Sequence, residues 1–190
     1  MYRPTIAPIE ARPAFANPGL WLARRWYYTP RTHRAYSVRQ ISSGDRRLLA
    51  EFALGLVGDA YAGGSKSLRE LTDMLIERVL AGGSDMAVGY AALASTGAGD
   101  RVIGASAYAP VGQDCARFSI AVAASYREEQ VGRLLLTTLI RHAKRVGVQR
   151  LTGEMVWSNR PMQMLALSLG FRVEAEPDDR TVRSLVLSLK

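Results

Sequence analysis

The feature that most constrains this chain is an apolar run that enters a helix through a short polar loop. "CARFSIAVAA" (115–124) reads as a strand, and the loop "YREEQVGR" (126–133) holds a single glycine. Val131, Leu134, Leu135, Leu139 and Val146 then recur on one helical face. A helix N-terminus exposes N–H groups with no intrahelical acceptor, together with a partial positive charge, so it attracts anions. Successive loop amides can also form a concave nest around phosphate oxygens. Arg127 and Arg133 add charge of the right sign, and Gly132 falls inside the first helical turn. A glycine there costs about 1 kcal/mol of helix stability. Either a ligand approaches the backbone closely, or the helix packs so tightly that no side chain fits. Spacing alone does not choose between them.

The flanking pattern says what surrounds this unit. "YSVRQI" (36–41) reads as a strand, and Ser42, Ser43 and Asp45 offer a cap for a helix over 45–57 with Leu48, Leu49, Phe52 and Leu56 on one face. "SLRELTDMLIERVLAGG" puts Leu68, Leu71, Leu75, Ile76, Val79 and Leu80 at helical spacing and stops on Gly82-Gly83. Two apolar runs, 86–94 and 102–109, flank the hairpin-type linker "STGAGD". Gly97 and Gly99 there are not a dinucleotide fingerprint, because the stretch joins two strands instead of opening a helix. After the central helix, "RLTGEMVW" reads as a strand, and Asn159 caps a helix with Met162, Leu165, Ala166 and Leu169 that closes at Gly170. "FRVEAE" and "TVRSLVLSL" are two strands around the turn "PDDR". The order β-α-α-β-β-β-α-β-α-β-β is a mixed sheet with helices on its faces.

Composition enters as a set of exclusions. At 190 residues and 48% hydrophobic, the chain can bury a substantial core and is not disordered as a whole. No apolar run approaches the roughly 20 residues that span a bilayer. The start, "MYRPTIAPIEARPAF", has no continuous apolar stretch of the kind a secretory signal needs. Cys115 is alone, which removes an internal disulfide framework and suits a reducing compartment, so the expected location is the cytoplasm. His33 and His142 are far apart and make no metal-ligand pattern; His142 falls on the apolar helix face and reads as a packing histidine. The formal charge of +8 is uneven: residues 1–35 hold six arginines against Glu10, a net of +5, which leaves +3 for the rest. A nucleic-acid-binding domain spreads its cations over a folded face. Here the excess sits in an arm with five of the eight prolines, whose aromatics in "GLWLARRWYY" (19–28) are expected to pack on the domain or a partner subunit, or else to form an amphipathic stretch that binds a membrane surface or another partner. The chain therefore divides into an arm, 1–35, and a domain, 36–190.

Arg127-x-x-Gln130-x-Gly132, following "FSIAVAASY", resembles motif A of the GNAT N-acetyltransferases, written Q/R-x-x-G-x-G/A, in the strand–loop–helix setting that family requires. "NRPMQMLALSLGF" (159–171) is similar to the family's next helix. The resemblance covers roughly residues 36–190 and is closest to the acetyltransferase domains of bacterial protein-lysine acetyltransferases, which have similar "GE…NRPM…LGF" stretches. It implies an α/β (α+β) fold: a mixed, mostly antiparallel sheet of about seven strands with about four helices, splayed between the strands at 115–124 and 149–156. It implies acetyl-CoA, or another acyl-CoA, as donor and an amine as acceptor, a protein lysine or a small molecule. By position, Arg127 begins the cofactor motif, Ile120 and Val122 offer backbone groups to the pantetheine arm, the amides of Gln130, Val131, Gly132 and Arg133 hold the pyrophosphate, and Asn159 contacts the cofactor.

Two positions depart from the pattern. Gln130 stands at the first glycine slot, and Ala166 stands where many family members have a tyrosine acid, an absence the protein-lysine subgroup shares. Glu154, the only acidic residue between Glu129 and Glu174, lies in an otherwise apolar strand beside the expected slot. A partly desolvated carboxylate is a stronger base than a solvated one, so Glu154 is the candidate general base; its competing roles are a solvated strand residue or an ion pair with Arg150 or Arg160. Cys115, with no histidine nearby in sequence, reads as a small hydrophobe in preference to a nucleophile. A non-catalytic acyl-CoA-binding module, and a nucleic-acid or assembly factor using the basic arm, are the competing functions.

Overall fold

The computed structural model describes residues 25–29, 34–56, 71–80, 87–97 and 99–189. Eight strands form one sheet: β1 (Arg25–Thr29), β2 (Arg34–Gln40), β3 (Val88–Thr96), β4 (Gly99–Pro110), β5 (Cys115–Val122), β6 (Arg150–Val156), β7 (Arg172–Ala175) and β8 (Val182–Ser188). Their spatial order is β1-β2-β3-β4-β5-β6-β8-β7. Every neighbouring pair is antiparallel except β5 and β6. Among the described residues, the longer helical segments are α1 (Arg46–Gly55), α2 (Met74–Leu80), α3 (Val131–Arg145) and α4 (Arg160–Ser168), with short 3₁₀ segments at Ser43–Asp45 and Ala124–Glu129. The mixed, mostly antiparallel architecture is the one expected. No helix among the described residues is long and apolar enough to cross a membrane.

The first strand is one more than the sequence suggests. Arg25–Thr29, placed in the arm by its proline-rich surroundings, pairs with β2 from Arg25↔Val38 to Thr29↔Arg34. Trp, Tyr and Thr favour extended backbone, and the partner that fixes them is an existing sheet edge, which no local periodicity announces. Leu68, the Gly82-Gly83 stop, His33 and the arm up to residue 24 lie outside the described residues.

The continuous apolar reading of β4 has a simple cause: residues 102–109 are all buried, because helices cover both faces. On one face, Leu49, Phe52 and Leu56 from the α1 region and Leu75 from α2 pack on Leu93, Val102 and Ala105. On the other, Leu135, Leu136 and Leu139 of α3 pack with Tyr36, Ile103, Tyr108, Phe118, Leu151 and Leu185. The three α3 leucines are fully buried, and each contributes roughly 1.5–3 kcal/mol of hydrophobic stabilisation. Leu135→Ala alone should cost about 2–5 kcal/mol.

The turn into α1 is tied by charge. Arg39 donates to both Asp45 carboxylate oxygens, at 2.7 and 2.5 Å, and the Ser42 N–H donates to Asp45 at 2.8 Å. Burial pushes the Asp45 carboxyl up, but the Arg39 and Ser42 hydrogen bonds outweigh it and hold the group below its ordinary value.

Candidate active site

The site is built where one ladder stops. β5 and β6 pair only at Cys115↔Arg150, Ala116↔Leu151 and Arg117↔Thr152, while on its other edge β5 stays paired with β4 as far as Gly104↔Val122. Beyond Arg117 and Thr152 the two strands part, which is the splay expected between 115–124 and 149–156. A cavity of about 440 Å³ lies over this opening, between β5, the first turn of α3 and one side of α4.

Of the residues singled out from the sequence, Ile120 and Val122, Arg127, Gln130, Gly132 and Arg133, and Asn159 line this one cavity. Two do not. The Val131 side chain is fully buried in the core, so only its backbone faces the first turn. Glu154 is on β6, and its neighbours Gly153 and Met155 face the α3–α4 core, which puts its side chain on the opposite face of the sheet. There it is one-fifth exposed and pairs with Arg117 of β5, Oε1 to Nη1 at 3.7 Å. Arg150 and Arg160 are not its partners in that pair. Sequence reasoning missed Pro161, Met162, Met164, Leu165 and Ser168, the α4 wall of the cavity. A signal was present: α4 carries more apolar residues than one buried face needs, and Met164 is left 66% exposed.

The loop backbone is set by Gln130, which adopts φ 62° and ψ 9°, the only positive φ outside glycine among the described residues. A residue with a Cβ is disfavoured there by about 1–2 kcal/mol. Strain of this kind collects at functional sites, where the surroundings over-determine the conformation. The first hydrogen bond of α3 runs from the Leu134 N–H to the Gln130 carbonyl at 3.0 Å. The N–H groups of Val131, Gly132 and Arg133 therefore have no acceptor within the helix.

At Gly132 close packing and an open cavity meet. It lines the cavity, and a Cβ added there would meet Leu165 Cδ2 at 3.3 Å and Val122 Cγ2 at 3.7 Å. Arg133 Nη2 donates to Ser168 Oγ at 2.7 Å, and Ser168 Oγ donates to the Leu165 carbonyl at 2.7 Å, so a cationic side chain is tied to the far end of α4 across the cavity. Asn159 Oδ1 accepts from the Met162 N–H at 3.1 Å, fixing the start of α4 beside the opening. An apolar trough ending in unpaired helix amides and two arginines fits a molecule with an apolar arm and a di-anionic phosphate end.

The remaining candidates lie elsewhere. Ala166 is fully buried in the core and does not line the cavity, nor does any Tyr, His or Cys among the described residues. Cys115 sits at the paired end of β5, with Sγ 3.9 Å from Thr152 Oγ1. His142 is wedged at the other end of α3, its Nδ1 2.8 Å from Tyr108 Oη and its ring edge-on to Tyr90. Burial, with Arg145 adding to it, pushes the His142 imidazole below its ordinary value; burial, with Tyr90 adding to it, pushes Tyr108 up to about 12. This is a core contact, as the helix face suggested.

A splayed α/β sheet with an anion-accepting helix turn at the fork defines a protein that binds an acyl-CoA-like molecule across open strands. The model described as "Acetyltransferase (GNAT) family" matches residues 66–171, more than half of the chain, and the chain belongs to that family. The activity that gives this family its name is acetyl transfer. Similar solved structures include the GNAT domain of S. lividans PAT, at 19% identity and TM-score 0.63, covering 91% of this chain and 99% of that one. Another is the ribosomal-protein-S5-alanine acetyltransferase from Vibrio fischeri, at 13% identity and TM-score 0.64, covering 82% and 93%. A third is yncA from Salmonella typhimurium with its cofactor acetyl-CoA, at 19% identity and TM-score 0.61, covering 82% and 94%. A search of curated proteins gives no match.

Proposed function

We propose that the chain moves the acetyl group of acetyl-CoA to a primary amine, with a protein lysine as the first acceptor to test, by direct attack in a ternary complex. The observation that carries this reading is the 440 Å³ cavity, which gathers seven of the nine residues singled out from sequence at the point where the sheet opens. Acetyl-CoA, when bound, supplies an activated thioester. In this reading the amides of Val131, Gly132 and Arg133, with Gln130 turning the backbone toward them, hold the phosphates, and Arg127 and Arg133 balance their charge. The free edge of β5 at Ile120 and Val122 orders the apolar arm, and Asn159 closes the α4 side. Glu154, on the opposite face of the fork, takes the proton from the incoming ammonium, because only the free amine can attack. Arg117 holds that carboxylate at the fork and yields it to the substrate cation. The single cysteine suits a reducing compartment such as the cytoplasm.

A non-catalytic acyl-CoA-binding role rests on two features, the strained Gln130 and the absence of a tyrosine acid at the cavity. One experiment separates the readings: acetyl-CoA consumption against pooled amines and proteins, with mass spectrometry of the products. Acetylated amine supports transfer; saturable CoA binding with no product on any acceptor sinks it in favour of the second reading.

A further inference from the structure

The β5–β6 fork has a floor. The last paired residues are Arg117 and Thr152, so Phe118 and Gly153 are the first residues on the two strands to face each other across the widening gap. A Cβ built on Gly153 would lie 2.6 Å from Phe118 Cε1 and 2.8 Å from Cζ, closer than real Cβ atoms approach, and 3.1 Å from Cδ1. The Phe118 ring therefore occupies the space that a residue other than glycine would take on β6. Behind it stands Phe171, which follows α4, with ring centroids 5.3 Å apart and planes tilted by 53°. Both rings are only 3% exposed. Ile120, the next residue of β5 on the same face, already lines the cavity, whereas Phe118 does not. The ring thus plugs the fork one same-face step below the innermost part of the cavity on this strand.

From this we infer that Phe118, seated on Gly153 and backed by Phe171, is the residue that limits the length of the acyl group the enzyme accepts. The inference rests on the reading of the fork as the acyl slot. An open apolar slot would favour each added methylene by about fourfold. A slot stopped by a close-packed ring reverses that trend, because a longer chain must displace Phe118 from a core with no spare volume. Short acyl groups are accepted, and butyryl or hexanoyl groups are rejected, by the ring seated on Gly153.

Binding, not turnover, is the first readout. Dissociation constants for CoA, acetyl-CoA, butyryl-CoA and hexanoyl-CoA are measured by calorimetry on the wild-type chain and on Phe118→Leu and Phe118→Ala. The wild type should bind hexanoyl-CoA at least tenfold more weakly than acetyl-CoA. Phe118→Leu, which keeps most of the core volume, should narrow the gap for butyryl-CoA to within about threefold. Phe118→Ala, where it stays folded by its melting transition, should bind hexanoyl-CoA more tightly than acetyl-CoA. The floor is overturned if wild-type protein binds hexanoyl-CoA as tightly as acetyl-CoA, or if folded Phe118→Leu leaves the ratios unchanged. Loss of binding to CoA itself in the wild type would overturn the acyl-slot reading and the floor together, whereas tight CoA binding with flat chain-length ratios removes the floor alone.

Discussion

Strand β5 is paired with β4 through seven residue pairs and with β6 through three, so one strand has a closed edge and an open one. On the closed side the partner is a strand buried on both faces, whose alanines at 105, 107 and 109 lie on one face and let α1 and α2 approach there. The ladder there runs unbroken from Gly104↔Val122 to Pro110↔Ala116, and what remains to be decided is stability. On the open side, Phe118 against Gly153 fills the fork on one face and the Arg117–Glu154 pair bridges it on the other. The backbone of β5 beyond Arg117 turns an edge toward the cavity instead of toward β6. An unpaired strand edge beside a helix N-terminus is costly to leave bare and useful when a ligand covers it.

The largest expected effect tests the open side directly. Gly132→Glu places a side chain and a negative charge at the first turn of α3, where the phosphates are proposed to lie. Its Cβ meets chiefly the end of the flexible Leu165 side chain, so the fold should persist. Millimolar acetyl-CoA should raise the melting temperature of the wild type and leave that of the variant unmoved. An equal shift in both proteins would place the phosphates elsewhere.

Next in size is Glu154→Gln, which keeps volume and hydrogen bonding but removes the base. We expect kcat to fall roughly 10²–10⁴-fold with CoA affinity little changed. Near-wild-type turnover from about pH 6 to 9 would shift the base to Glu128, which, unlike Glu154, lines the cavity, or to a chain of waters.

The closed side should answer to pH and not to ligand. The folded-state value of His142 lies below 6.5, so between that lower value and 6.5 the unfolded chain binds the proton that the folded chain refuses. This contribution to stability is complete above pH 6.5 and is lost as the pH falls toward the folded value. The denaturation midpoint should therefore drop between about pH 7.5 and 5.5, and drop less in His142→Gln. An unchanged pH dependence in that variant would remove His142 as the cause.

The smallest effect belongs to Gln130→Gly. Relief of about 1–2 kcal/mol of left-handed strain is partly offset by the greater freedom of glycine in the unfolded chain. A net gain below about 1 kcal/mol, or a rise of about 1–3 °C in melting temperature, is expected, with CoA affinity retained. A fall in melting temperature would mean that the Gln130 side chain itself supports the loop.

Local chemistry by itself determined most of the elements and the unit that matters most. Asn159 caps α4 as its position demands, the apolar period places α3, and Arg127, Gly132 and Arg133 fall around its first turn beside the cavity, because capping and periodicity act within a few residues. Other decisions needed atoms far apart in sequence. Arg25–Thr29 becomes a strand only against the edge of β2. Val131 turns into the core while its neighbours line the cavity, and Met164 and Ser168 join them only once α4 is laid beside α3. Glu154 meets Arg117, a residue 37 positions earlier, in place of the arginines near it in sequence, because the parallel register of β5 and β6 brings those two side chains to one face of the fork. Sequence determines what a short stretch can do; register and packing decide which stretches face one another, and those depend on long-range contacts that no local pattern carries.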